Sequence, residues 1–175
     1  LKALADLVRT LGADVGIGYD GDGDRVAFID EEGNFVDFDR VFAAYAAYVI
    51  EKSGGGTVVT NVEASMSVEK MVEAQGGKVV RTKVGDIYVA EAIKRSNAVF
   101  GGEPCGAWIN PQFHYCPDGI ISSALLLEAL EGENKTLSEF VSEMPQYLTL
   151  RENIACSDKV KHKVVEKVGE ALKST

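Results

Sequence analysis

Residues 20–25 read Asp-Gly-Asp-Gly-Asp-Arg, and no other stretch of the chain concentrates so much potential chemistry. Three carboxylates this close repel one another, and Arg25 is the one neighbouring cation. The intervening glycines open backbone conformations closed to other residues, so Asp20, Asp22 and Asp24 can converge on a single point. Convergent hard oxygens suit Mg2+, which retains coordination positions for water or a phosphate oxygen. The plain alternative is a solvated acidic turn.

A second candidate is Gly101-Gly102-Glu103-Pro104-Cys105-Gly106, which follows a short apolar run ending at Phe100. Loops at the carboxyl edge of a sheet are the usual ligand sites of α/β folds. Glu103 on such a loop either accepts hydrogen bonds from vicinal sugar hydroxyls or sits in an ordinary β-to-α connection.

The elements that must position these groups are legible from periodicity. Leu4, Leu7, Val8 and Leu11 mark an amphipathic helix stopped by Gly12, and Ala13 to Tyr19 and Val26 to Ile29 are strand candidates. Residues 31–34 form a turn, with Phe35-Val36 as a return strand. Asp39 is expected to cap a helix running to about Lys52, broken by Ser53-Gly54-Gly55-Gly56. Strands at 57–60, 78–82 and 98–100 then alternate with helices at about 65–75 and 86–95. That rhythm predicts an α/β fold with a mixed, largely parallel sheet flanked by helices. A loop is expected from Gly101 to Pro117, then helices at about 118–130 and 136–143, a strand near 147–154 and a final helix at about 158–173.

The chain has 175 residues, 46% of them apolar, and 27 acidic against 18 basic side chains give a formal charge of −9. This argues against nucleic acid, which requires a basic face, and against anionic membranes. No apolar run approaches a membrane span. Cys105, Cys116 and Cys156 are odd in number and widely spaced, which suggests reduced thiols and a cytoplasmic setting. His114 and His162 stand too far apart to suggest a His-centred metal site, and His114 has no identifiable partner in the sequence.

Two metal loops share part of the 20–25 pattern. An EF-hand starting at Asp20 would find Glu31 at its last ligand position, but Arg25 stands where its turn needs Gly and the flanks read as strands. A haloacid-dehalogenase-like phosphatase also places Asp-x-Asp-Gly after a strand, with Asp20 then the nucleophile. That reading, and a non-catalytic α/β binding module, remain as alternatives.

Taken together, Asp20 to Arg25, Gly102 to Gly106 about 80 residues later, and Asp118-Gly119 resemble the α-D-phosphohexomutase superfamily. Thr82-Lys83-Val84-Gly85-Asp86 is similar to its intermediate loop, closest to the phosphoglucosamine and archaeal-type branches. The resemblance implies a four-domain parent that moves a phosphoryl group between O1 and O6 of a hexose phosphate, through a phosphoserine and a bisphosphosugar. It implies Mg2+ held by Asp20, Asp22 and Asp24, with Arg25 a catalytic cation that either backs the metal ligands or faces a phosphate, its plain alternative being to neutralise its neighbours. Glu103, Cys105, Gly106 and Lys83 would contact the substrate. Residues 1–34 would end domain 2, 35–144 form domain 3, and 145–175 be a linker and the start of domain 4. The chain opens without Met and lacks serine-loop and phosphate-loop motifs, so it is expected to be a central fragment, inactive alone and completed by the missing domains. Many members read Gly-Glu-x-Ser-Gly-His, whereas Cys105 and Ala107 stand here. Glu63 replaces a basic residue of some bacterial relatives, and Ile87 an Arg. Trp108, Phe113 and Tyr115 either line the sugar pocket or pack the long loop.

Overall fold

The computed structural model describes residues 1–145, 147, 152 and 154–173. Helix α1 (Lys2–Leu11) ends at Gly12, whose φ of 63° is the left-handed turn expected there. It lays Ala5 and Val8 on Ile29 of a two-stranded antiparallel hairpin, β1 (Gly16–Tyr19) and β2 (Val26–Ile29). Tyr19 pairs with Val26, so the Asp-Gly repeat is the loop of this hairpin. The return strand expected at Phe35-Val36 is reduced to one bridge, Phe35 to Ile29.

Helix α2 (Phe38–Ser53) is capped by Asp37, which accepts from the amides of Asp39 and Arg40. The expectation that Asp39 is the cap is therefore corrected. Asp39 lies inside the first turn, buried, and accepts from the Ser65 amide at 2.8 Å. Two aspartates two residues apart are equal candidates by type, and only the backbone separates them.

The main sheet follows: β3 (Gly56–Asn61), α3 (Ser67–Ala74), β4 (Gly77–Thr82), α4 (Asp86–Ser96), β5 (Phe100–Glu103) and β6 (Ala107–Ile109). Strand order is β4-β3-β5-β6, with β3 parallel to both β4 and β5, and β5 antiparallel to β6. Alternate residues face opposite layers. Val58, Phe100 and Trp108 join the core under α2, α3 and α5 (Gly119–Glu133). Val59 and Ile109 meet Val89, Ala92 and Ile93 beneath α4. The sheet is thus mixed, mostly parallel and covered on both faces.

One stretch departs from expectation. Gly101-Gly102-Glu103 is strand, and the loop expected over 101–117 opens instead with a tight hairpin. These glycines serve close packing: a Cβ on Gly101 would lie 2.7 Å from the Val59 carbonyl oxygen, and one on Gly102 2.6 Å from that of Ala107. Trp108, 1% exposed, is core: it stacks on Tyr45 at 5.2 Å and meets Phe28 of β2 at 5.9 Å. Phe113 and Tyr115 are exposed, and the Lys94 ammonium sits 4.7 Å from the Tyr115 ring.

Beyond α5 come α6 (Leu137–Phe140), with a capping box at Thr136 and Glu139, and α7 (Lys161–Lys173), which buries none of its described residues. The strand expected near 147–154 falls largely outside the described residues.

Arg81 closes the exit of β3. It grips Glu69 through two bonds of 2.6 and 2.8 Å and donates to the carbonyls of Asn61, Ala64 and Ser65. Burial opposes ionisation of Glu69, but the Arg81 bonds outweigh it and hold this carboxyl below its ordinary value. A carboxylate with a lowered folded pKa stabilises the fold above its unfolded pKa, and that contribution disappears as pH falls. Glu69→Gln should therefore cost about 1–2 kcal/mol at pH 7. In urea unfolding, the gap from the unaltered chain should narrow progressively below about pH 4.3, the unperturbed glutamate value.

Candidate functional site

The hairpin loop closes on itself. The Asp20 amide donates to the Arg25 carbonyl at 3.4 Å, and the Arg25 amide returns a bond to Asp20 Oδ1 at 3.2 Å. Arg25 Nε reaches Asp20 Oδ2 at 2.5 Å and stands 3.6 Å from Asp24 Oδ1. One oxygen of each of Asp20, Asp22 and Asp24 lies within 4.8 Å of the others. The convergence anticipated from the Asp-Gly repeat is present.

The three carboxylates are not equivalent. Burial disfavours charge on Asp20, but the Arg25 amide and guanidinium outweigh it and keep its pKa low. Asp24 is pushed up, first by burial and then by its contact with Asp20 and the charges of Asp20 and Asp22. Its Oδ1 is buried without a hydrogen-bond donor. Arg25 therefore hydrogen-bonds one carboxylate and stands near the oxygen of another without bonding it. A hard cation bound by three carboxylate oxygens would correct that deficit, so the residues fit Mg2+.

The second candidate loop is the turn of the β5–β6 hairpin. Glu103 Oε1 accepts from Asn61 Nδ2 and from the Gly85 amide, each at 2.7 Å. The carboxylate is thus fixed between the end of β3 and the start of α4. Asn61, Glu63, Val84, Glu103, Pro104 and Cys105 line a cleft of about 220 Å³. Cys105 also lines a neighbouring cleft of about 200 Å³ with Asp20 and Arg25, so its side chain stands between the two candidate regions. Burial raises the Cys105 thiol, which makes it a poor nucleophile at neutral pH.

Gly106 locks the turn to the carboxylate hairpin. Its carbonyl accepts from the Val26 amide at 3.1 Å, its φ is 88°, and a Cβ would run into the Val26 carbonyl. No other residue combines that conformation with that approach. Lys83 is exposed in the β4–α4 connection, its ammonium 5.9 Å from the Tyr88 ring.

Sequence reasoning missed Asn61, although a polar residue ending a β-branched strand was an available signal. It also left His114 without a partner, whereas His114 Nε2 lies 3.1 Å from Asp118 Oδ2, one helical turn away in sequence.

Residues 37–147 match the model of the phosphoglucomutase/phosphomannomutase α/β/α domain III. The chain belongs to that family. It is 42% identical over 174 residues to a phosphoglucosamine mutase of Methanococcus maripaludis, covering 97% of this chain and 39% of the relative. It is 43% identical over 182 residues to the phosphoglucosamine mutase of Methanocaldococcus jannaschii, covering 100% of this chain and 41% of that protein. The chain therefore spans about two-fifths of the length of these curated relatives. In fold it is similar to a phosphoglucomutase/phosphomannomutase family protein from Burkholderia thailandensis, with a TM-score of 0.77 over 85% of this chain and 32% of that one, at 24% identity. Membership of the phosphohexomutase superfamily takes the place of the dehalogenase-like reading of Asp20 to Gly23. Among the described residues no helix is long and apolar enough to cross a membrane.

Asn61 is 1% exposed, so truncating it leaves Glu103 short of one donor in a confined place. Asn61→Ala should lower stability by about 1–2 kcal/mol in denaturant unfolding.

Proposed function

We propose that this chain is the central part of a phosphoglucosamine-type phosphohexomutase. The parent would exchange a phosphoryl group between O1 and O6 of a hexose phosphate through a phosphoserine and a bisphosphosugar. The observation that carries this reading is the carboxylate cluster, three ligand oxygens within 4.8 Å on a loop fixed beside the Glu103 hairpin. The family match and the names of the archaeal relatives support the substrate class.

Phosphoryl transfer requires little covalent chemistry from the protein and much positioning and charge neutralisation. In this reading Asp20, Asp22 and Asp24 hold Mg2+, which when bound offsets negative charge on a phosphate oxygen. Arg25 keeps Asp20 ionised and offers its remaining guanidinium nitrogens to phosphate. Glu103 accepts from sugar hydroxyls with its orientation already set by Asn61 and Gly85. Cys105 and the backbone at Gly106 form the wall between metal and sugar, and Lys83 supplies a mobile cation at the cleft margin. Residues 1–34 complete domain 2, 35–144 make domain 3, and 145–175 lead into domain 4. The three free thiols suit a reducing, cytoplasmic setting.

Three measurements test the reading. Calorimetry of this chain with Mg2+ should give a binding isotherm that Asp22→Asn abolishes, and equal heats for both would remove the metal assignment. In the full-length parent, Glu103→Gln should lower kcat/KM for glucosamine phosphate by about 10- to 100-fold, the worth of one hydrogen bond to a charged group. Unchanged kcat/KM would remove Glu103 from the substrate site. Mutase turnover by this chain alone would overturn its assignment as an incomplete part.

A further inference from the structure

Gly119 opens α5, and neither the carboxylate chemistry nor the sugar cleft accounts for it. Its amide donates to the Gly23 carbonyl at 2.9 Å. A Cβ at this position would lie 2.9 Å from the Arg25 carbonyl carbon, the Arg25 carbonyl oxygen and the Gly23 carbonyl oxygen. All three are backbone atoms of the carboxylate loop and cannot swing aside as a side chain would. Gly132, in the same helix, meets only the Tyr48 hydroxyl at 3.8 Å. Glycine lowers helix propensity at either position, but only at Gly119 does the surrounding backbone require it.

The same turn reaches the other side of the loop. The Ser123 hydroxyl donates its one proton to the Ile120 carbonyl at 2.8 Å, so in its 2.6 Å contact with the Tyr19 hydroxyl it is the acceptor. Tyr19 immediately precedes Asp20. The first turn of α5 thus holds the chain at Tyr19 and again at Gly23 and Arg25, bracketing Asp20 and Asp22. The helix start is itself fixed. Asp118 caps the Ile121 amide at 2.8 Å, meets His114 Nε2 at 3.1 Å and donates its own amide to the Trp108 carbonyl at 3.0 Å.

We propose that Gly119 is a positioning residue for the carboxylate loop, and that the first turn of α5 is the surface that sets the separation of its carboxylates. The proposal rests on the metal reading above. Mg2+ demands near-ideal octahedral geometry at about 2.0–2.1 Å, so a loop displaced by one methyl group is a poorer site, whereas a solvated acidic turn would be indifferent.

The test is calorimetric titration of Mg2+ into this chain and three variants, with thermal unfolding of each alongside. Gly119→Ala should weaken Mg2+ binding by about tenfold or more, as losses in the support around metal ligands commonly do, and Tyr19→Phe by about threefold, the worth of one ordinary hydrogen bond. Gly132→Ala should leave binding unchanged and raise the unfolding midpoint. A folded Gly119→Ala with unaltered affinity overturns the proposal. If Gly119→Ala does not fold, Tyr19→Phe decides: weaker binding at an unchanged midpoint supports the template, and unchanged binding overturns it. No binding by the unaltered chain overturns the metal reading and this proposal with it.

Discussion

The site depends on two places where backbone meets backbone with no room for a side chain. At Gly106 the β5–β6 turn rests on the Val26 carbonyl, and at Gly119 the start of α5 rests on Gly23 and Arg25. Within a loop of three carboxylates and one guanidinium, Arg25 binds Asp20 and nears Asp24 but leaves the like charges otherwise unopposed. Those charges drive the loop open, and contacts from outside add to what Arg25 supplies. The hairpin supplies the loop's ends, the β5–β6 turn supports one side and the helix the other. Removal of either contact would leave a peptide whose acids minimise repulsion by spreading into water.

The acidity of this region divides into two kinds once the contacts are known. Residues 20–32 hold six carboxylates against Arg25 alone. Asp30 is buried and accepts from the Glu32 and Asn34 amides, which makes it the clamp of the turn at Gly33. Glu31 reaches Ser138, taking both its amide and its hydroxyl, and so ties the hairpin to α6. Burial acts against ionisation of Glu31, but the Ser138 hydroxyl and the other hydrogen bonds outweigh it and its pKa is lowered. Asp30 and Glu31 are supplied with donors, whereas in the cluster at 20–24 the Asp24 Oδ1 is buried with none.

Much of this was legible in the sequence. The alternation of β-branched runs with helical segments predicts the two-sided, mostly parallel sheet, and the Asp-Gly repeat predicts convergence. What could not be read depends on neighbours distant along the chain. Gly101 and Gly102 look like loop because glycine usually is, yet they are strand because Val59 and Ala107 crowd them. Asp37 and Asp39 are chemically interchangeable as caps, and the choice lies in where the helix begins. Asn61 belongs to the site because Glu103, 42 residues later, returns beside it in a parallel sheet. Local periodicity carries no information about such meetings.

Phe28 belongs to the hairpin, yet it lies in the same interior as Trp108 and Phe42 of the sheet layer. The carboxylate hairpin and the β5–β6 hairpin therefore share one hydrophobic interior, although the matched domain III begins only at residue 37. A substitution that loosens Phe28 or Trp108 would therefore disturb the carboxylate loop and the Glu103 turn together, whichever side of residue 37 it falls on.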